Sequence, residues 1–65
     1  MNIDDAVILQ KALGPCKPGA EGIIKNIDAQ GKIVVKITHD HQCNPFTFLL
    51  PPVPVDYYKA GYNCS

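Results

Sequence analysis

Gly22-Ile23-Ile24-Lys25-Asn26-Ile27 and Lys32-Ile33-Val34-Val35-Lys36-Ile37-Thr38 flank the short polar stretch Asp28-Ala29-Gln30-Gly31. In the second run Ile33, Val35 and Ile37 fall on one face, and Lys32, Val34, Lys36 and Thr38 on the other. Strict alternation of this kind is the mark of a half-buried strand. Two alternating runs joined by a short turn that carries Gly predict a β-hairpin over residues 21–27 and 32–38. The alternation fixes the register too, because a slip by one residue would carry Lys32 and Lys36 inward. Ile33, Val35 and Ile37 are therefore the expected core face.

A lone hairpin is marginal in water, so the chain must supply further strands. Toward the N-terminus, residues 4–13 send two signals. Asp4 or Asp5 could cap a helix and Gly14-Pro15 could stop it. Val7-Ile8-Leu9 is a compact apolar run with two β-branched residues, which favours a strand. The strand is preferred, since the hairpin needs a partner. Gly14-Pro15-Cys16-Lys17-Pro18-Gly19 then reads as a loop. Its Pro18-Gly19 pair suits a type II turn, which takes Pro first and Gly second.

Toward the C-terminus, residues 39–44 are polar and connect strands. Pro45-Phe46-Thr47-Phe48-Leu49-Leu50 alternates again and groups Phe46, Phe48 and Leu50, with both phenylalanines expected on the inner face. Pro51, Pro52 and Pro54 lack backbone donors and confine residues 51–55 to a sheet edge or a polyproline crossing. Asp56-Tyr57-Tyr58-Lys59-Ala60-Gly61 suggests one helical turn, with Asp56 as cap and Gly61 as stop.

Together these elements predict an all-β, single-domain chain over residues 1–65: a small barrel of 4–5 short strands with one helical turn near Asp56. The runs Asp5-Ala6-Val7-Ile8-Leu9, Lys17-Pro18-Gly19-Ala20-Glu21-Gly22-Ile23-Ile24 and Gly31-Lys32-Ile33-Val34-Val35-Lys36-Ile37 resemble the SH3-like barrels of bacteria. They are most similar to a small uncharacterised bacterial family that opens D-x-V-x-L and continues G-x-x-G-x-V. The resemblance spans residues 5–37 and implies the barrel, with Gly22 permitting a sharp bend. It carries no functional residue across, because such barrels serve many unrelated roles. The histidine-bearing loop and the proline-rich segment after Thr38 have no counterpart in the pattern.

Composition narrows the function classes. Six Lys balance six Asp and Glu, and there is no Arg. A zero net charge argues against non-specific nucleic-acid binding and against binding to an anionic membrane surface. At 46% hydrophobic and 18% charged, the chain is too apolar for a disordered tail. The opening Met1-Asn2-Ile3-Asp4-Asp5 is acidic where a secretory signal is basic, and no run is long enough to span a bilayer, so the expected location is cytoplasmic. Cys16, Cys43 and Cys64 are odd in number, and reduced thiols are the expected state.

Two stretches could carry chemistry. In an extended chain His39, His41 and Cys43 would converge on one side, a donor set that suits zinc, with Cys16 or Cys64 as a fourth ligand. The spacing matches no standard zinc motif, and a solvated polar loop is the plainer reading. Cys43 beside a histidine also suggests a thiol nucleophile, yet so small a chain has little room to hold nucleophile, base and orienting group. Pro51 and Pro54 have the spacing of a polyproline ligand for a protein partner, though a stiff crossing packed inward through Leu50, Val53 and Val55 is the plainer reading. The remaining apolar surplus points to an interface that draws on Leu49, Val53, Val55, Tyr57 and Tyr58. The function expected from the sequence is a non-catalytic binding or assembly module that forms a homodimer and needs no cofactor. The rival reading is a metal-binding or thiol-based protein built on His39, His41 and Cys43.

Overall fold

The computed structural model describes residues 1–64. Six strands form one antiparallel sheet: β1 Ala6–Leu9, β2 Glu21–Ile27, β3 Lys32–His39, β4 Pro45–Leu49, β5 Val53–Pro54 and β6 Tyr58–Ala60. Their order is β4-β3-β2-β1-β6, and β5 pairs with β3 beyond the end of β4. The chain is thus a small all-β domain whose one helical feature among the described residues is the 3-10 turn Val55–Tyr57.

The predicted hairpin is present. Ile24 lies opposite Val35 and Ile27 opposite Ile33. Ile33, Val35 and Ile37 are buried, as their alternation required, and they meet Val7, Leu9, Ile24, Leu50, Val53 and Tyr58 in one cluster. Residues 6–9 form a strand, so β-branching and the demand for a partner prevail over the capping signals. The loop before β2 also closes as its residues dictate. The Ala20 N–H donates to the Lys17 carbonyl at 3.2 Å across Pro18-Gly19, and Gly19 has φ 103°.

β2 needs glycine at position 22. A Cβ there would stand 2.6 Å from the Lys36 carbonyl oxygen and 2.7 Å from Val35 Cγ1. The backbones of β2 and β3 approach this closely where the ladder shifts register between Glu21 and Gly22. A bulge at such a shift sharpens twist and bends a strand. A second register shift lies between Ile24 and Asn26.

Two expectations fail toward the C-terminus. Phe46 and Phe48 do not enter the core. They are 36% and 38% exposed, while Leu50 is buried. β4 pairs only with the far part of β3, from Lys36 to His39, and its own side chains are all exposed. The phenylalanines stack on each other instead, with ring centroids 6.2 Å apart. The expected turn near Asp56 exists but is shorter, and Asp56 lies inside it rather than capping it. Tyr58, Lys59 and Ala60 then continue as a strand, because β1 offers a free edge: Ala60 pairs with Val7 and Tyr58 with Leu9.

Gly22→Ala should destabilise the protein by about 1–3 kcal/mol, since the added methyl meets backbone that cannot step aside. Urea unfolding monitored by circular dichroism measures this. A midpoint equal to that of the wild type would show that β2 and β3 can separate at no cost.

Candidate functional site

The β3–β4 connection repeats the β2–β3 connection. In Asp28-Ala29-Gln30-Gly31-Lys32 the Asp28 Oδ1 accepts from the N–H groups of Gln30 and Lys32, each at 2.9 Å. In Asp40-His41-Gln42-Cys43-Asn44 the Asp40 Oδ1 accepts from Gln42 and Asn44, again at 2.9 Å. The Gly31 N–H donates to the Asp28 carbonyl and the Cys43 N–H to the Asp40 carbonyl, at 3.1 and 3.0 Å. These are three-residue hairpin loops whose last loop residue takes the left-handed conformation. Gly31 does so at φ 83°, and Cys43 does so at φ 65°. A side chain at such a position is disfavoured by roughly 1–2 kcal/mol relative to its ordinary backbone. Cys43 therefore occupies the place that its twin turn gives to glycine.

The sulfur accounts for it. Cys43 is disulfide-bonded to Cys64, with Cα atoms 5.4 Å apart. This corrects the expectation of three reduced thiols. An odd count leaves one cysteine over but says nothing about which two the fold brings together. Cys16 is the free one, and it is buried.

The bond ends a strap that crosses the outer face of the sheet. Val7 and Leu9 point into the core cluster, so Ile8 points away from it. Ile8 pairs with Glu21 across β1 and β2, and Glu21 pairs with His39 across β2 and β3. These three residues form a row on the outer face. The chain leaving β6 folds over it. The Gly61 N–H donates to the Ala6 carbonyl at 3.1 Å. A Cβ on Gly61 would stand 3.9 Å from Ile8 Cδ1. Glu21 Oε1 then accepts from the N–H groups of Asn63 and Cys64 at 2.7 and 2.8 Å. Its second oxygen, Oε2, lies 3.6 Å from His39 Nδ1, which is also 3.0 Å from Thr38 Oγ1. Glu21 is 8% exposed, and a buried carboxylate needs such partners.

The candidate metal ligands are dispersed by this geometry. His39 ends β3 and residues 40–44 form a tight turn, so alternation does not carry on from His39 to align His41 and Cys43 with it. His39 faces Glu21, Cys43 faces Cys64, and His41 lines a hollow on the side of Cys16. Among the described residues, no three His, Cys, Asp or Glu side chains gather where they could hold a metal ion.

That hollow measures about 150 Å³ and lies between residues 15–17 and the β3–β4 turn, with Cys16, His41 and Phe46 on its walls. Burial pushes the Cys16 thiol up, which keeps it protonated and a poor nucleophile. Tyr58 is pushed up to about 12, first by burial and then by the negative charge that Cys16 would carry as a thiolate. Its hydroxyl is buried without a hydrogen-bond partner among the described residues.

Of the residues expected at an interface, Val53 and Tyr58 are core instead, at 8% and 2% exposure. Val53 pairs with Ile33 and Tyr58 with Leu9, which carries both inward. Tyr57 is half-buried against the core, with Lys11 Nζ 5.0 Å from its ring centre. Leu49 and Val55 are exposed, at 61% and 44%. No helix among the described residues is long and apolar enough to cross a membrane. No protein-family model, curated protein or solved structure matches the chain.

The twin turn is open to sequence reading, and the strap is not. The repeated Asp-x-Gln spacing before Gly31 and before Cys43 is visible in the chain and marks Cys43 as a cysteine in a glycine position. Glu21 carries no such signal, since nothing local says that a distant tail will fold onto it.

Two contacts at this site can be tested directly. The Asn44 N–H holds the Asp40 carboxyl below its usual 3.8, with Gln42 and the charge of His41 adding to it. A carboxyl whose folded pKa is depressed supports the turn above its unfolded value and loses that support as pH falls through the folded one. The Gln42 and Asn44 amide resonances should therefore titrate with a midpoint below 3.8, and a midpoint at or above it would deny the two hydrogen bonds. Glu21→Ala should cost about 1–3 kcal/mol, because it removes a charged acceptor from two amides. Faster hydrogen exchange at Asn63 and Cys64 would accompany it. Unchanged exchange there would mean that the carboxylate does not hold the strap.

Proposed function

We propose that this chain is a non-catalytic binding or assembly module, an SH3-like small barrel that self-associates as a homodimer through the free edge of β4. The observation that carries the reading is β4 itself. It pairs with β3 on one edge only, and no described strand covers the other. All of its residues are exposed, with Leu49 on one face and the stacked Phe46–Phe48 pair on the other. An uncovered apolar edge is a template for another strand.

The partner chemistry that fits is a second copy of the same edge. No charged side chain occurs from Asn44 to Val55, so two copies would meet without like-charge repulsion. Antiparallel pairing of β4 with itself is symmetric and closes after two chains. Pro45 and Pro51 bracket the strand and limit its growth into longer sheets. The thiols also support a non-catalytic role: Cys43 is held in a disulfide and Cys16 is buried and protonated.

Sedimentation velocity over a micromolar concentration series tests this. The wild type should move from monomer toward dimer as concentration rises. Leu49→Asp places a charge in the contact and should hold the protein monomeric with its circular dichroism unchanged. A wild type that stays monomeric at high micromolar concentration would overturn the proposal.

A further inference from the structure

We propose that the Cys43–Cys64 disulfide is a redox latch that holds the strap of residues 61–64 over the outer face of the sheet and releases it on reduction, while the core stays folded. Three observations combine here, and none depends on the proposed dimer. The first is Cys43 in a left-handed turn position whose twin is Gly31. The cysteine sits there against its backbone preference, and the bond to Cys64 is what that side chain supplies there.

The second is how little else holds the strap. Tyr62 is 64% exposed, and the strap adds no residue to the core cluster, whose last member is Tyr58. Its other ties are the Gly61 bond to Ala6 and the two amides on Glu21. Ordering a short tail costs conformational entropy that three hydrogen bonds, two of them part-buried, only about offset. The disulfide tips that balance, because it tethers the end of the tail to a turn that is closed by its own Asp40 bonds.

The third is what the strap covers. Ile8 is 6% and Glu21 8% exposed beneath it, and Glu21 faces His39. Opening the latch bares an apolar side chain and a carboxylate with two acceptor sites vacated, beside the already part-exposed imidazole of His39, across three strands. The surface changes without a change of fold. Elements that move in this way come from the least stable part of a structure.

The step is thiol–disulfide exchange. A thiolate of a dithiol reductant attacks one sulfur of the Cys43–Cys64 bond and forms a mixed disulfide. The second thiol of the reductant then displaces the remaining cysteine. Two electrons and two protons pass to the protein, which leaves with two thiols, and the reductant leaves as its own disulfide. Buried Cys16 takes no part.

Amide hydrogen exchange by NMR, with and without dithiothreitol, tests the latch. In the oxidised protein the Asn63 and Cys64 amides should be protected. Reduction should speed their exchange about tenfold or more, while the Ile33 and Val35 amides stay as protected as before. Re-oxidation should restore the first pattern, with intact mass confirming loss of two hydrogens. Cys43→Gly supplies a second arm: the turn accepts glycine, so this variant should keep the core protected and show fast strap exchange with or without dithiothreitol. The proposal is overturned if strap protection survives reduction, if the core amides lose protection with the strap, or if Cys43 and Cys64 remain free thiols under oxidant.

Discussion

Every layer of the molecule depends on β3. It pairs with β2 along one edge and with both β4 and β5 along the other, and it gives Ile33, Val35 and Ile37 to the core. A single strand can serve three partners because it is long enough to be shared. Lys32 and Ile33 meet β5, and Lys36 to His39 meet β4. The prolines between Leu50 and Val55 turn the chain from one partner position to the other. The Leu50 N–H donates to the Val35 carbonyl at 3.0 Å at that changeover, which seats Leu50 in the core. Gly22 sets how near β2 can come on the opposite edge.

The outer face is organised by the same strand. The register shift that closes β2 onto β3 brings Glu21 opposite His39 and makes room for Gly22 opposite Ile37. The carboxylate is thereby placed under the tail that leaves β6, and the β3–β4 turn is placed where Cys64 can reach Cys43. The strap thus links both ends of the strand order, from β6 across β1 and β2 to the turn beyond β3. A feature of the surface and a feature of the core share one cause, the bulge at Glu21–Gly22.

Legibility in the sequence tracks how local each signal is. The hairpin alternation, the Pro18-Gly19 turn and the β1 strand rest on neighbouring residues and hold. The all-β class comes from them. Phe46 and Phe48 alternate correctly but sit at the surface, because alternation gives a face and not its cover, and nothing packs over β4. Tyr58, Lys59 and Ala60 carry helix signals nearby yet pair with β1, since a free strand edge outweighs weak caps. The disulfide and the Glu21 clasp join residues far apart in the chain. Spacing alone carries neither, although the repeated Asp-x-Gln pattern, once the turns are known, shows Cys43 in the place of glycine. His39 and His41, suggestive as a pair in an extended chain, are separated once Asp40 closes the turn between them.

Native-state hydrogen exchange across a denaturant series tests most directly whether β3 is the spine. If it is, the Ile33, Val35 and Ile37 amides exchange only through global unfolding. Their opening free energies then equal the stability from equilibrium unfolding and fall with its full denaturant slope. Exchange of these amides through a smaller opening, while β1, β2 or β6 remains protected, would contradict it.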